Sequence, residues 1–184
     1  MTAELCNVAT SRLVFVDIQA RLAAAMAEGE RRRVLDHAGA LARAAAELEV
    51  PRLVTRQYPR GLGETEPELA ELLPEAPTVD KTGFSCCRAD GFEAALGDSE
   101  QIILAGMETH VCITQTALEL AATGRTVFVA ADAVCSRDPA NHERALARLA
   151  HAGVGVTVTE SILFEWLRDA GHDRFKAVTA LLPR

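Results

Sequence analysis

The sequence predicts an α/β fold: a single-domain, doubly wound sheet of six parallel strands with helices on both faces, spanning residues 1–184. Three observations carry this. Short apolar runs alternate with stretches of helical spacing from residue 13 onwards, and that alternation builds right-handed βαβ crossovers and a parallel sheet. The runs are nearly continuous in apolar residues, as strands covered on both faces must be. At 184 residues, with no internal repeat, low-complexity tract or domain boundary, the chain has the length of one domain and can bury a full core.

The elements follow in order. Leu13-Val-Phe-Val-Asp17 is a buried strand that ends in an acid. Residues 31–48 carry Val34, Leu35, Ala38, Leu41, Ala45 and Leu48 at helical spacing, and Pro51 stops that helix. Arg52-Leu-Val-Thr55 is a second strand. Residues 57–80 are rich in Pro, Gly and Glu and read as loop, with a turn or two of helix near 67–73. Thr78-Val79 leads to Lys81 as a third strand, and a short helix follows near 92–96. Gln101-Ile-Ile-Leu-Ala-Gly106 is the fourth strand. A helix over 112–122 follows it, with Gly124 in the capping position. Thr126-Val-Phe-Val-Ala130 is the fifth strand. Asp138-Pro139 supplies an N-cap with proline at the first helical position, for a helix reaching about 152. Residues 154–158 are the sixth strand, and helices near 160–170 and 174–182 complete the chain.

Composition excludes several classes. A net charge of −7 disfavours nucleic acid or an anionic membrane as partner. Arg31-Arg32-Arg33, the one dense basic cluster, reads as a solvated helix face. No stretch approaches the length of a membrane span, and the acidic opening Met1-Thr-Ala-Glu-Leu-Cys-Asn does not fit an export signal. Five scattered cysteines without a CxxC pair are expected to be free thiols of a cytoplasmic protein. The five histidines form no HxH or HExxH pair, so no metal or other cofactor is expected. No glycine-rich loop follows the first strand, so this Rossmann-like sheet lacks the dinucleotide fingerprint.

A doubly wound sheet binds its ligand at the carboxyl ends of the strands, which selects Asp17, the Lys81 region and the turn Gly106-Met-Glu-Thr-His-Val-Cys112. Cys112 begins a helix, where the dipole favours a thiolate and free amides can hold an oxyanion; the plain alternative is a buried cysteine acting as a small hydrophobe. Asp17 closes an apolar run where an unpaired charge is costly. It is either a base for the thiol or a solvent-facing loop carboxylate. Lys81 is one of two lysines beside seventeen arginines, a sign of a site that needs a compact ammonium, with a surface lysine as the alternative. Gln19 could touch substrate or orient Asp17. Loops carrying Tyr58 and Phe84 are candidate pocket walls. His110 ranks below Lys81 as a partner for the thiol. Cys86-Cys87 read as packing or pocket-wall residues, and Cys135 as structural. Counting helix end and Lys81 against Asp17 predicts a Cys112 that alkylates well below pH 8. The surplus of apolar residues at Leu163, Phe164, Trp166 and Leu167 predicts a homo-oligomer.

Three motifs together resemble the isochorismatase-like cysteine hydrolases, in particular the isochorismatase domain-containing proteins. They are Leu13-Val-Phe-Val-Asp17-Ile-Gln19, Lys81-Thr-Gly-Phe84-Ser85 and Gly106-Met-Glu-Thr-His-Val-Cys112, in family order, and the likeness spans nearly the whole chain. The resemblance implies the six-stranded sheet, a homo-oligomer (dimer or tetramer) and a Cys–Asp–Lys triad of Cys112, Asp17 and Lys81. It implies a cis Met107-Glu108 peptide and an oxyanion hole from the amides of Glu108 and Cys112. The implied chemistry is amidase-type hydrolysis of a small-molecule amide or acyl compound through a thioester. Two other outcomes stay open: an idle oligomeric binding protein, or a thiol redox sensor with Cys86 or Cys87 as resolving thiol. Nicotinamidases of the superfamily carry an Asp/His metal site before the lysine, whereas residues 55–80 here contain no histidine.

Overall fold

The computed structural model describes residues 4–183, so the opening Met1, Thr2 and Ala3 of the segment read for an export signal lie outside the described residues. Six parallel strands form one sheet in the order β3-β2-β1-β4-β5-β6. They are β1 (Ser11–Val16), β2 (Arg52–Gln57), β3 (Thr78–Lys81), β4 (Gln101–Met107), β5 (Thr126–Cys135) and β6 (Gly155–Thr157). The chain starts at the centre, winds outwards through β2 and β3, then returns to pair β4 with the free side of β1. The crevice at the carboxyl ends of β1 and β4 is therefore the switch point of the doubly wound sheet.

Alternation of side chains on these strands supplies two cores. Leu13 and Phe15 of β1, Ile103 and Ala105 of β4, and Phe128 of β5 face one layer. Val14, Val16, Ile102, Leu104, Val127 and Val129 face the other. Every residue of β4 is buried, as the near-continuous apolar runs required. The first layer is closed by α2 (Glu28–Glu47), preceded by the single turn α1 (Ala20–Ala23). Its buried Val34, Leu35, Ala38, Leu41, Ala42 and Ala45 recur at helical spacing, and each fully buried Val or Leu contributes roughly 1.5–3 kcal/mol. Helix α2 begins a turn earlier than the apolar pattern, because Glu28 and Glu30 suit the positive end of the helix dipole.

Short helices α3 (Pro59–Leu62) and α4 (Pro67–Ala70) interrupt the long loop, and α5 (Phe92–Leu96) precedes β4. The second layer is closed by α5, by α6 (Thr114–Ala122) and by α7 (Pro139–His151), where Asp138 accepts the Ala140 amide at 2.9 Å as the expected N-cap. The fifth strand runs five residues beyond its apolar core. Its pairing with β4 jumps from Leu104↔Val129 to Gly106↔Val134.

Two expectations change here. The arginine run on α2 is not simply solvated. Arg33 donates to the carbonyls of Ala131, Asp132 and Val134, where β5 bulges, while Arg31 pairs with buried Glu66 and Arg32 with Asp36 and Glu68. A guanidinium fork is suited to gathering several carbonyls that a bulge leaves unpaired. The apolar surplus in the last helices is also mostly internal. On α8 (Thr159–Leu167), Leu163, Trp166 and Leu167 are buried in their own core, and Trp166 Nε1 donates to Ser11 Oγ at 3.2 Å. Only Phe164 remains outside, edge-on to Phe175 of α9 (Phe175–Thr179). No described helix is long and apolar enough to cross a membrane.

Candidate functional site

The carboxyl ends of β1, β2, β3 and β4 meet at one buried polar cluster. Gly106 makes the approach of β1 and β4 possible. Its φ is +137°, and a Cβ there would stand 2.0 Å from the Val16 carbonyl oxygen, so only glycine fits. Asp17 follows Val16 with φ +54°, in the left-handed region that Asp tolerates better than branched residues do. That turn leaves its side chain fully buried rather than in solvent.

Lys81 ends β3 and brings its ammonium to 2.6 Å from Asp17 Oδ2. It also donates to Gln57 Oε1 at 2.6 Å and the Phe84 carbonyl at 3.0 Å, and stands 3.7 Å from Cys112 Sγ. Burial works against the lysine's charge, but the neighbouring Asp17 carboxylate, the largest opposing influence, outweighs it and the pKa is raised. The lysine is therefore an ammonium held by its neighbours. The second oxygen of Asp17 accepts the Thr55 hydroxyl at 2.8 Å. The three residues singled out from the sequence thus lie together, although 64 residues separate Asp17 from Lys81.

Cys112 sits inside a π-helical turn, Thr109–Ile113, which runs on into α6. It is the fourth residue of that turn rather than the first residue of a helix, and it is 5% exposed. The expected low pKa is overturned. Burial raises the Cys112 thiol most, the Asp17 charge raises it further, and Lys81 only partly offsets them. Counting charges had left out desolvation, the largest influence on a thiol taken from water. Burial therefore favours the protonated thiol at rest.

The Met107-Glu108 peptide is cis. The Glu108 carbonyl accepts the amides of Val111 (3.0 Å) and Ile113 (3.3 Å), passing over Cys112 between them. The Glu108 carboxylate is tied down by the amide and side chain of Arg137 at 2.8 and 3.1 Å. His110 is bonded through Nδ1 to Ser136 Oγ at 2.9 Å, which fixes the ring on the loop after β5. The Gln19 side chain is engaged by loop backbone. It is fully buried, its Oε1 accepts the Gln57 amide, and its Nε2 donates to the carbonyls of Gln57 and Gly63. Tyr58 and Phe84 are each 54% exposed. Tyr58 lines an open cleft of about 430 Å³ with Arg60, Lys81 and Arg88, while Phe84 holds Lys81 through its carbonyl. Cys86 is not merely packing, since its Sγ lies 3.6 Å from Thr55 Oγ1. Cys135 is buried within the strand, as expected of a structural thiol. Sequence reading passed over Thr55 and Gln57. The available signal was two polar residues, two apart, at the carboxyl end of a strand. Among the described residues no group of three or more His, Cys, Asp or Glu is arranged to hold a metal ion.

A switch-point crevice that holds a thiol, a carboxylate and an ammonium, with no glycine loop for phosphate, sets the chain among α/β sheets of the hydrolase type rather than the dinucleotide-binding type. Residues 11–161 match the Isochorismatase domain, and the chain belongs to that family of hydrolases. It is 39% identical over 154 residues to isochorismatase domain-containing protein 2 of Danio rerio, covering 81% of this chain and 76% of that one. Among solved structures it resembles a protein named MAR1 ribonuclease from Caenorhabditis elegans (TM-score 0.91, 34% identity, 97% and 92% of the two chains). It also resembles YcaC of Pseudomonas aeruginosa, solved with covalent acrylamide (TM-score 0.91, 28% identity, 98% and 93%). YcaC of Escherichia coli, described as an octameric hydrolase of unknown specificity, is similar as well (TM-score 0.89, 26% identity, 98% and 89%).

Proposed function

We propose that the chain is a cysteine-dependent hydrolase of small amides or related C–N and acyl compounds. The observation that carries this is the buried Lys81–Asp17 pair at 2.6 Å with its ammonium 3.7 Å from Cys112 Sγ. Such a pair, taken out of water, is costly to assemble without a use for it.

The reading runs as follows. Asp17 takes the Cys112 proton as sulfur adds to the substrate carbonyl. Proton transfer and attack are coupled, since burial keeps the resting thiol protonated. The amides of Glu108 and Cys112 hold the oxyanion, with Arg137 anchoring Glu108. Asp17 returns the proton to the leaving nitrogen as the C–N bond breaks and a thioester forms. Water then adds to the thioester, giving its proton to Asp17. The sulfur departs and recovers that proton, releasing the acid. Lys81 stays charged throughout and balances Asp17 and the transient thiolate. Tyr58 and Phe84 are the proposed walls of the substrate's approach. The octameric Escherichia coli neighbour supports assembly as a homo-oligomer, and free buried thiols support a cytoplasmic setting.

Rapid mixing with p-nitrophenyl acetate tests the reading. A burst matching the enzyme concentration, with an acetyl adduct on the Cys112 peptide that is absent in Cys112→Ser, is expected. No burst, and no turnover across a panel of small amides, ureas and carbamates, would leave an idle binding protein. A redox sensor is disfavoured because the partner thiol Cys86 is pushed up to about 12, by burial first and Asp17 second, whereas sensing needs a thiolate. RNA cleavage, raised by the name of the Caenorhabditis elegans neighbour, meets a net charge of −7 and arginines 31, 32, 33, 56 and 88 all engaged by carboxylates.

A further inference from the structure

Strand β2 lies between β1 and β3, and therefore between the strands that deliver Asp17 and Lys81. Residues two apart on a strand share a face. The two such residues at its carboxyl end are Thr55 and Gln57, and each grips one member of the ion pair. Thr55 Oγ1 donates to Asp17 Oδ1 at 2.8 Å, and Gln57 Oε1 accepts from Lys81 Nζ at 2.6 Å. Neither grip is loose. Gln57 Nε2 donates to the Thr82 carbonyl at 2.7 Å, which fixes the amide with its oxygen towards the lysine. Its backbone is held on both sides by the Gln19 amide group. The Thr55 hydroxyl has one proton, and Asp17 receives it. Towards Cys86 Sγ at 3.6 Å the hydroxyl can only accept, so the Cys86 thiol carries its hydrogen and points it at Thr55. The chain of donors runs Cys86 to Thr55 to Asp17.

We infer that Thr55 and Gln57 are the positioning residues of this site, one strand fixing the Asp17 carboxylate and the Lys81 ammonium together. The inference rests on the hydrolase reading for its catalytic meaning, though not for its geometry. A donor on the carboxylate stabilises its charged form and weakens it as a base. An acceptor on the ammonium stabilises that charge. With one oxygen of Asp17 bonded to Thr55 and the other to Lys81, the proton of Cys112 must reach a carboxylate whose orientation is fixed from both sides. The titratable groups facing the Asp17–Lys81 pair are Cys86, from the turn after β3, and Cys112, from the turn after β4.

The test follows Cys112 over a range of pH in wild type, Thr55→Val, Thr55→Ser and Gln57→Leu by two readouts: the p-nitrophenyl acetate burst and iodoacetamide labelling of the Cys112 peptide. Thr55→Val should move the acid limb of the burst upwards by about one pH unit, the size of one lost charge-assisted hydrogen bond. Thr55→Ser should restore the wild-type limb. Gln57→Leu should lower the alkaline limb, because an ammonium without its acceptor gives up its proton sooner. Labelling should slow in Thr55→Val as the unshared Asp17 charge opposes the thiolate, and this arm reads out even in a protein that hydrolyses nothing. Absence of a wild-type burst would therefore sink the hydrolase reading alone. Limbs and labelling unmoved in folded Thr55→Val and Gln57→Leu, or Thr55→Ser displaced as far as Thr55→Val, would overturn the positioning role.

Discussion

The two ends of the sheet differ in almost every respect. At the amino ends of β4 and β5 lies an opening of about 810 Å³ lined by Glu4, Glu93, Asp98, Glu100 and Arg125. At the carboxyl ends the space by Tyr58 is about half that, yet Lys81 on its wall belongs to a buried, hydrogen-bonded set with Asp17, Thr55 and Cys112. The amino end has volume and solvent-facing acids, of which Glu93 pairs with Arg125 and Glu4 accepts from Gln101 and Thr126. The carboxyl end has groups that water cannot screen, so their fields act at full strength on any atom brought among them. The proposed chemistry is therefore placed on the desolvated, mutually held groups rather than on the wider opening.

The sharpest way to break this comparison is at the thiol. Cys112→Ala and Asp17→Asn should each lower turnover of an activated ester on the order of 10⁴-fold, as loss of a nucleophile or its base does. Steady-state assays that find either variant within tenfold of wild type would remove that residue from the mechanism. Next comes stability. Lys81→Ala strands a fully buried carboxylate and should cost about 3–5 kcal/mol in urea unfolding, so the variant is not a silent probe of catalysis. The neutral pair Asp17→Asn with Lys81→Met should regain most of that stability and none of the activity. Recovery of activity would show the pair to be scaffolding.

A third experiment varies pH. The buried thiols of Cys6, Cys86, Cys112 and Cys135 are all raised above the ordinary value of 9.0, burial being the first cause in each. A folded-state pKa above the unfolded one stabilises fully below about pH 9. That contribution is lost as pH climbs from there towards the folded values, because the unfolded chain releases those protons first. Melting temperature should fall above pH 9, and Cys112 labelling should be slow at pH 6.5 and faster in Asp17→Asn. Rapid labelling of wild type at pH 6.5 would show Lys81 prevailing over burial. The smallest effect belongs to the other end. Asp98→Asn or Glu100→Gln should leave turnover unchanged and alter stability by no more than about 0.5 kcal/mol. A larger loss of activity would mean that the acidic opening communicates with the site.

The six strands and the convergence of Asp17, Lys81 and Cys112 were legible because both depend on local signals: apolar runs, and polar residues where those runs stop. The sign of the Cys112 shift was not, since charges can be counted in a sequence while burial can only be measured in three dimensions. Thr55 and Gln57 escaped for a related reason. A polar residue at a strand end is ordinary until its neighbour across the sheet is known, and that neighbour is set by strand order. Trp166, Leu163 and Leu167 misled in the opposite direction. Their abundance on one helix suggested a partner chain, whereas α8 is packed against the sheet and α2 and buries more than one face. Gln19 was placed at the pocket by its proximity to Asp17, but its amide is used up on the loop backbone.

The winding order has a consequence for synthesis. Of these six strands the central one is synthesised before the others, and its partner β4 lies about ninety residues later, at Gln101–Met107. While residues 18–100 are being made, β1 can pair with β2 on one side only. Its other side presents the unpaired backbone of Leu13, Val14, Phe15 and Val16, an apolar edge of the kind that recruits strands from other chains. The nascent half-sheet is therefore sticky where the finished protein is most deeply protected, and arrival of β4 closes that edge and completes the crevice in one step. Expression with synthesis slowed within residues 58–100 should divert material into aggregates, while the finished protein stays in solution at the same concentration.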